Sequence, residues 1–492
     1  MMTRTALRFA LPWSLLGVAA CVRSIELTDG SSEGTGPTDP SAGPTSDPSA
    51  TSTGGSVTAD DGVSTDPTPV DVLPQTGCTV DDPCALDILV VVDNSADTPD
   101  AQAALVRSLV PLVRTLEGPL GTPVDVQIMF TTTDVGSPSC APFEFAGYDP
   151  AMGAPTPNGC NARIDWFTSL GSNPEIRPDV CTASCPVDVV PDEPFVAFYA
   201  DERDNVPDVE PVDIDGDAVP DSAVAQAVAC LAPQGINGCG YESPLAAMHL
   251  ALDPTAAWNT GERPFLRPNS AVTIVLVTTE ADCSMDDPSV LDDPQYQEAN
   301  PNGDMKQPSG AVCWNAGVDC GEPDAEGVYA ECIASDGPLS PLSRYTDRLV
   351  GELVELEGRQ VSMVALTGVP SVTATATDVP FEPNVGGEAA LVFRDWRNGV
   401  HPEGDRLPRD VEDETLVDEL AFEYKIGPGC AQVDGDREIR GIPNPRIHEV
   451  CHALDVTPTD GDRGVRCCVE SICDATLGLD CVVGMLGVAP GE

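Results

Sequence analysis

The chain has 492 residues, and 80 acidic against 24 basic side chains give it a formal net charge of −56. That field excludes nucleic acid as a partner, opposes docking onto anionic lipid by charge and favours cations. Lys306 and Lys425 are the only lysines, so nearly all positive charge is arginine; such a surface also suits salty surroundings, where screening relieves self-repulsion.

Met1 to Ala20 carries Arg4 and Arg8, an apolar stretch from Phe9 to Leu16, and then small residues up to Cys21, the order of a secretion signal. Its end, Val18-Ala19-Ala20-Cys21, resembles the bacterial lipobox, whose cysteine is acylated and becomes the first residue of the mature chain. The resemblance implies lipidation at Cys21 and a lipid anchor in the bacterial envelope, at the outer membrane or cell surface. An ordinary signal peptide is the alternative. No later apolar run is long enough to span a bilayer. The 19 cysteines less Cys21 leave 18, an even number suited to nine bridges in an oxidising compartment. Cys181 and Cys185 are close enough to staple a local turn, whereas the neighbours Cys467 and Cys468 are expected to bond to separate partners. No CxxC pair recurs at zinc-finger spacing, which favours disulfides over zinc.

Residues 21–77 read as a stalk, since from about Leu27 to Gln75 there is almost nothing but Gly, Ser, Thr, Pro and Asp. A flexible segment of that size has a root-mean-square span of roughly 40 Å. Residues 78–492 read as globular. Leu86–Val92 is an apolar strand that ends at Asp93, followed by a helical pattern over Ala101–Leu116 in which Pro111 invites a kink. Val124–Phe130 is a second strand, Pro244–Leu252 a helix, Ala271–Val277 a third strand, Leu342–Leu356 a helix and Val361–Leu366 a fourth strand. Continuous apolar strands that alternate with helices predict an α/β fold with a mostly parallel, Rossmann-like sheet covered by helices on both faces. The stretches at about 136–236 and 282–341 are too long for ordinary connections. They are expected to be disulfide-braced insertions at one rim of the sheet, joined by a Cys-rich closing segment at about 427–492.

Three stretches carry a family resemblance. Asp93-Asn94-Ser95-Ala96-Asp97, between a strand and a helix, resembles the DxSxS metal-binding loop of von Willebrand factor type A domains. Gly238-Cys239-Gly240-Tyr241-Glu242-Ser243 and Thr278-Thr279-Glu280-Ala281-Asp282-Cys283-Ser284 look like segments of an A-domain-like group of bacterial surface lipoproteins. Arg446 to Cys451 and Ser471 to Asp474 are similar to that group's closing segment. The resemblance implies Mg²⁺ or Ca²⁺ at the carboxyl edge of the sheet, held by Asp93, Ser95 and Asp97, with Glu242, Glu280 and Asp282 as further candidates. An open position on such an ion accepts a carboxylate from a partner protein. The chain departs from the pattern at Asp97, where the family has Ser, at Glu242 and Ser243, where it has Thr, and at Thr279, where it has Asp. The alternative reading of Asp93, Ser95 and Asp97 is that they only cap the following helix.

Two further motifs stand apart. Asp213, Asp215, Asp217 and Asp221 have the alternating carboxylates of a calcium loop, although Ala218 stands where an EF-hand needs glycine; a solvated acidic loop is the competing reading. His448-Glu449-Val450-Cys451-His452 fits HExxH, which on a helix places two imidazoles one turn apart for zinc with the glutamate as base. No third ligand follows at fixed spacing, and Glu470 is only a distant candidate. No nucleophile elbow, phosphate loop or dinucleotide fingerprint is present, so no organic cofactor is expected. The sequence therefore points to a lipid-anchored surface protein for adhesion or protein binding and not to an enzyme. A secreted zinc metallopeptidase and a structural envelope protein without a ligand are the alternatives.

Overall fold

The computed structural model describes residues 84–474, with breaks at 119–123, 143, 145–146, 170–173, 202, 304, 377–382, 398, 403, 413, 436 and 456–465. The stretches expected to be a secretion signal and a stalk, Cys21, and the last residues of the Cys-rich end lie outside the described residues.

Six strands form one sheet: β1 (Cys84–Val92), β2 (Val124–Thr132), β3 (Val196–Phe198), β4 (Ala271–Val277), β5 (Val361–Thr367) and β6 (Cys467–Ser471). Counted from its β3 edge the order is β3-β2-β1-β4-β5-β6. All neighbours run parallel except β3, which lies antiparallel to β2. In this doubly wound order the direction of winding reverses between β1 and β4, and ligands of such sheets bind beyond the carboxyl ends of the strands at that point.

Alternation along the strands supplies two cores. Leu86, Ile88, Val90 and Val92 of β1 pack with α1 (Pro99–Glu117) and α2 (Ala223–Leu231) on one face. Leu89 and Val91 pack on the other face with α3 (Pro244–Ala251), with a π-helical segment at Asp347–Leu356, and with Ile447 and Val450 of α5 (Pro445–His452). These strand residues are fully or almost fully buried, and truncating one to alanine costs about 2–5 kcal/mol. Asp87 is the exception within β1. It is buried but neutralised by the Arg267 guanidinium at 2.7 Å, and the Ser270 hydroxyl donates to it at 2.5 Å, so it locks the amino end of β1 to the entry of β4.

α1 continues through Pro111 as one helix. The stretch at 136–236 is more than a rim insertion, because it contributes β3 to the sheet and α2 to the core. Every described cysteine is disulfide-bonded. Cys181 and Cys185 do not bond to each other: Cys160–Cys181 braces the segment before α2 internally, and Cys185–Cys230 ties that segment to α2. Cys467 pairs with Cys451, so it and Cys468 do have separate partners. No helix among the described residues is long and apolar enough to cross a membrane.

Candidate functional site

β1 leaves the sheet at Asp93, beside the end of β4. Ser95 N donates to Asp93 Oδ1 at 2.9 Å and folds the loop into a tight turn. From β4, Thr278 Oγ1 and Thr279 N donate to Asp93 Oδ2 at 2.9 and 3.0 Å. Thr279 Oγ1 lies 3.3 Å from Asp93 Oδ2 and 3.2 Å from Asp97 Oδ1, and Ser95 Oγ lies 2.9 Å from that same Asp97 oxygen. Asp93 Oδ2, Thr279 Oγ1, Asp97 Oδ1 and Ser95 Oγ thus form a chain of oxygens, each within 3.3 Å of the next. Oxygens at right angles around Mg²⁺, with bonds of 2.0–2.1 Å, stand about 2.9 Å apart. Burial, followed by the nearby Asp97 charge, pushes the Asp93 carboxyl up to about 6 against the pull of its hydrogen bonds.

Glu242 reaches the same place from the segment before α3. Gly238 N donates to Asn94 O at 2.9 Å, and a β-carbon on Gly238 would sit 2.4 Å from the Asn94 side chain, so only glycine allows this approach. The Cys140–Cys239 bridge ties the segment to the loop beyond β2. Thr133 Oγ1 donates to Glu242 Oε2, while Oε1 is buried and has no hydrogen-bond partner. Glu280, at the end of β4, is also buried. Burial and then the Asp93 and Glu280 charges hold Glu242 well above the usual carboxylate range; for Glu280 the causes are burial and then Asp97 and Asp93.

The cover comes from a distant part of the chain that the sequence did not single out. α4 (Glu414–Tyr424) ends at the rim, where Tyr424 OH donates to Asp97 Oδ2 at 3.0 Å and Glu423 Oε1 accepts from Gly310 N at 3.3 Å. The Arg440 guanidinium lowers the cost of charge at Glu280, but it is itself committed to Asp410 at 2.9 and 3.1 Å. Asp93, Glu242 and Glu280 are therefore buried together, with Glu423 half-buried beside them and little positive charge nearby, a state that demands bound protons or a bound cation.

Comparison with protein-family models, curated proteins and solved structures yields no match to the chain. What the site does must follow from its own atoms.

The other candidates are placed elsewhere. Asp282 sits close in sequence to Glu280 but is ion-paired in the interior with Arg446 at 3.0 Å and accepts from Ser284 Oγ at 2.6 Å, which makes it a bolt between α3 and α5. In the Asp213 loop a cation is already present: Arg114 of α1 reaches Asp215, Asp217 and Asp221 at 3.2, 2.5 and 2.6 Å. Asp213 turns to the backbone, accepting from Gly216 N and Ala218 N, and Ala218 takes the left-handed conformation with φ 68.

The HExxH residues do lie on a helix. His448 Nε2 is 2.8 Å from Thr367 Oγ1, and Glu388 bridges the pair, 3.4 Å from His448 Nδ1 and 2.7 Å from His452 Nε2. Glu449 is exposed, on a different face from the bridged pair. Burial pushes Glu388 up, but hydrogen bonds from both imidazoles outweigh it and hold the carboxyl well below its ordinary value. Glu470 is buried in β6. Among the described residues, trios of His, Cys, Asp or Glu with ligand atoms within 4.8 Å of one another are Cys185/Asp188/Cys230, His452/Asp455/Cys467 and Asp213/Asp215/Asp221. The first two contain disulfide sulfurs, which are not thiolate ligands, and the third holds Arg114. At the switch point it is alternation of carboxylate with hydroxyl that builds the oxygen cluster.

Proposed function

We propose that this chain is an exported, lipid-anchored surface protein whose domain, similar to a von Willebrand factor type A domain, binds a protein or surface ligand with the help of a divalent cation. The observation that carries the reading is the oxygen chain from Asp93 through Thr279 and Asp97 to Ser95 at the switch point. It also accounts for two departures from the family pattern. Asp97 stands where the family has a hydroxyl and Thr279 where it has a carboxylate, and the two side chains touch at 3.2 Å. The swap keeps the count of carboxylates and hydroxyls around one point. The unpartnered Glu242 Oε1 is a second support, since a buried lone carboxylate oxygen is costly without a counter-charge.

Mg²⁺ or Ca²⁺ suits the all-oxygen donor set. Asp93, Ser95 and Glu242 are buried and Tyr424 covers Asp97. The cation accordingly braces the rim from beneath, and the ligand meets the disulfide-tied loops above it; direct coordination of a partner's carboxylate requires Tyr424 to move. Disulfides throughout the described residues suit an oxidising compartment outside the cytoplasm. Thermal unfolding in EDTA and in Mg²⁺, Ca²⁺ or Mn²⁺, against NaCl of matched ionic strength, tests the cation. The expected result is stabilisation beyond the NaCl control that disappears in Asp93→Ala; no difference between these conditions sinks the reading. Release of the chain from the membrane fraction by Cys21→Ser tests the anchor.

A zinc hydrolase at His448, Glu449 and His452 is the second reading, favoured by the helix that carries the motif and by Glu388 between the imidazoles. Stoichiometric zinc lost in His448→Ala would support it, as would peptidase activity lost in Glu449→Ala.

A further inference from the structure

A separate cleft opens beside this rim, under the loop of residues 148–158. The loop is a built structure: Met152 N donates to Asp134 O at 3.0 Å, Thr156 N to Phe130 O at 2.9 Å, and Gly153 comes so close to α3 that a β-carbon there would lie 2.6 Å from Ala251 N. Between the loop, the end of β2 and the turn of 3₁₀-helix at Cys160–Phe167 lies a space of about 280 Å³, room for about nine waters at about 30 Å³ each.

Its walls combine three features that lack a counterpart. Tyr148 and Trp166 stand edge to face, ring centroids 5.3 Å apart, and give the cleft a flat apolar side. Arg163 is buried in the wall with its guanidinium 5.3 Å from the Trp166 ring centroid. Its acceptors are all neutral: Asn158 O, Gln234 O, Gln234 Oε1 and Pro233 O. These use four of its five N–H groups. None of its hydrogen bonds goes to a carboxylate; Asp188 acts on it only through space, and burial outweighs that pull, so the guanidinium is held below its ordinary range in the interior of a strongly acidic protein. Finally, Thr132 and Thr156 line the cleft, and their hydroxyls are buried without a hydrogen-bond partner. A buried hydroxyl ordinarily has one.

We propose that this cleft binds a small organic carboxylate with a flat apolar body. The body lies against Trp166 and Tyr148, and the carboxylate takes the charge of Arg163 and hydrogen bonds from the Thr132 and Thr156 hydroxyls. Asp149 stands exposed at the mouth, where it disfavours a second negative charge on the ligand's outer end. The cleft communicates with the rim, because Tyr148 OH donates to Asp134 Oδ2 at 2.7 Å and accepts from Asn94 Nδ2 at 3.0 Å, next to Asp93. The proposal does not rest on the cation reading.

Benzoate and its neutral isostere benzamide are the probes, titrated onto the oxidised full chain at about 0.15 M salt, where exposed charge is largely screened, with tryptophan fluorescence and calorimetry as readouts. Benzoate is expected to bind at least tenfold more tightly than benzamide, and Arg163→Met to remove that preference. Arg163 also ties backbone carbonyls together, so Thr156→Val supplies a variant that preserves shape; it is expected to weaken benzoate about two- to tenfold. Absence of benzoate binding, equal affinity for the two probes, or benzoate affinity unchanged in Thr156→Val overturns the proposal.

Discussion

Glu242→Gln isolates the central feature of the rim, a carboxylate buried among other carboxylates. Gln keeps the shape and an oxygen for the Thr133 hydroxyl, and it replaces the unpartnered Oε1 by an NH₂ that faces negative neighbours. A buried charged acceptor without a partner costs about 1–3 kcal/mol or more. In EDTA at pH 8 the variant should therefore be more stable than wild type by about 1–3 kcal/mol, a rise in Tm on the order of 2–4 °C. The sign with pH follows from the raised Glu242 pKa. Stability associated with a raised carboxyl is complete below its unfolded value, 4.5, and is lost as pH rises through the folded value. The advantage of Gln is thus absent near pH 4 and grows towards alkaline pH. Added Mg²⁺ should reverse the ranking, stabilising wild type and leaving the variant nearly unchanged. Differential scanning calorimetry across pH, with and without ion, decides the matter. A Glu242→Gln variant that is less stable than wild type in EDTA at pH 8, or that gains as much from Mg²⁺, refutes the reasoning.

Arg114→Ala should expose the carboxylates of Asp215, Asp217 and Asp221 to one another and lower the melting temperature, with Ca²⁺ restoring it; calorimetry with and without Ca²⁺ checks this. Arg446→Met leaves Asp282 buried and unpaired and should cost about 3–5 kcal/mol in chemical denaturation. His452 is held up to about 10 by hydrogen bonds with Asp455 and Glu388. For a raised histidine the contribution is complete below pH 6.5 and is lost as pH rises through about 10; half exposure of the ring limits it to about 1 kcal/mol or less. Glu388→Gln should reduce that dependence between pH 6.5 and 10 in a melting-temperature series, and Asp455→Asn should reduce it at least as much.

Much of the scaffold was legible in the chain, because β1, β2, β4 and β5 are buried on both faces and so read as unbroken apolar runs. β3 has three residues, and β6 begins with two bridged cysteines, so neither carries a periodic signal. α2, with the sequence AVAQAVACL, was hidden inside a stretch expected to be insertion. At the rim, Asp93 and Glu280 were visible as strand-end carboxylates and Glu242 as part of a segment before a helix, and the three do converge. The complementarity of Asp97 and Thr279 was not visible, since residues 182 positions apart look like two separate losses until they are seen side by side. Tyr424, Glu423 and Arg114 carry no local motif at all. They matter only because the fold brings them to acidic groups far away in sequence, and the same holds for Glu388 between the two histidines.

The most direct test is calorimetric titration of the oxidised, metal-free chain with Mg²⁺, Ca²⁺ and Mn²⁺ at pH 7.5, in wild type, Asp93→Ala and Asp221→Ala. The account predicts one saturable site, lost in Asp93→Ala and kept in Asp221→Ala. No saturable site, or one that survives Asp93→Ala and vanishes in Asp221→Ala, contradicts it.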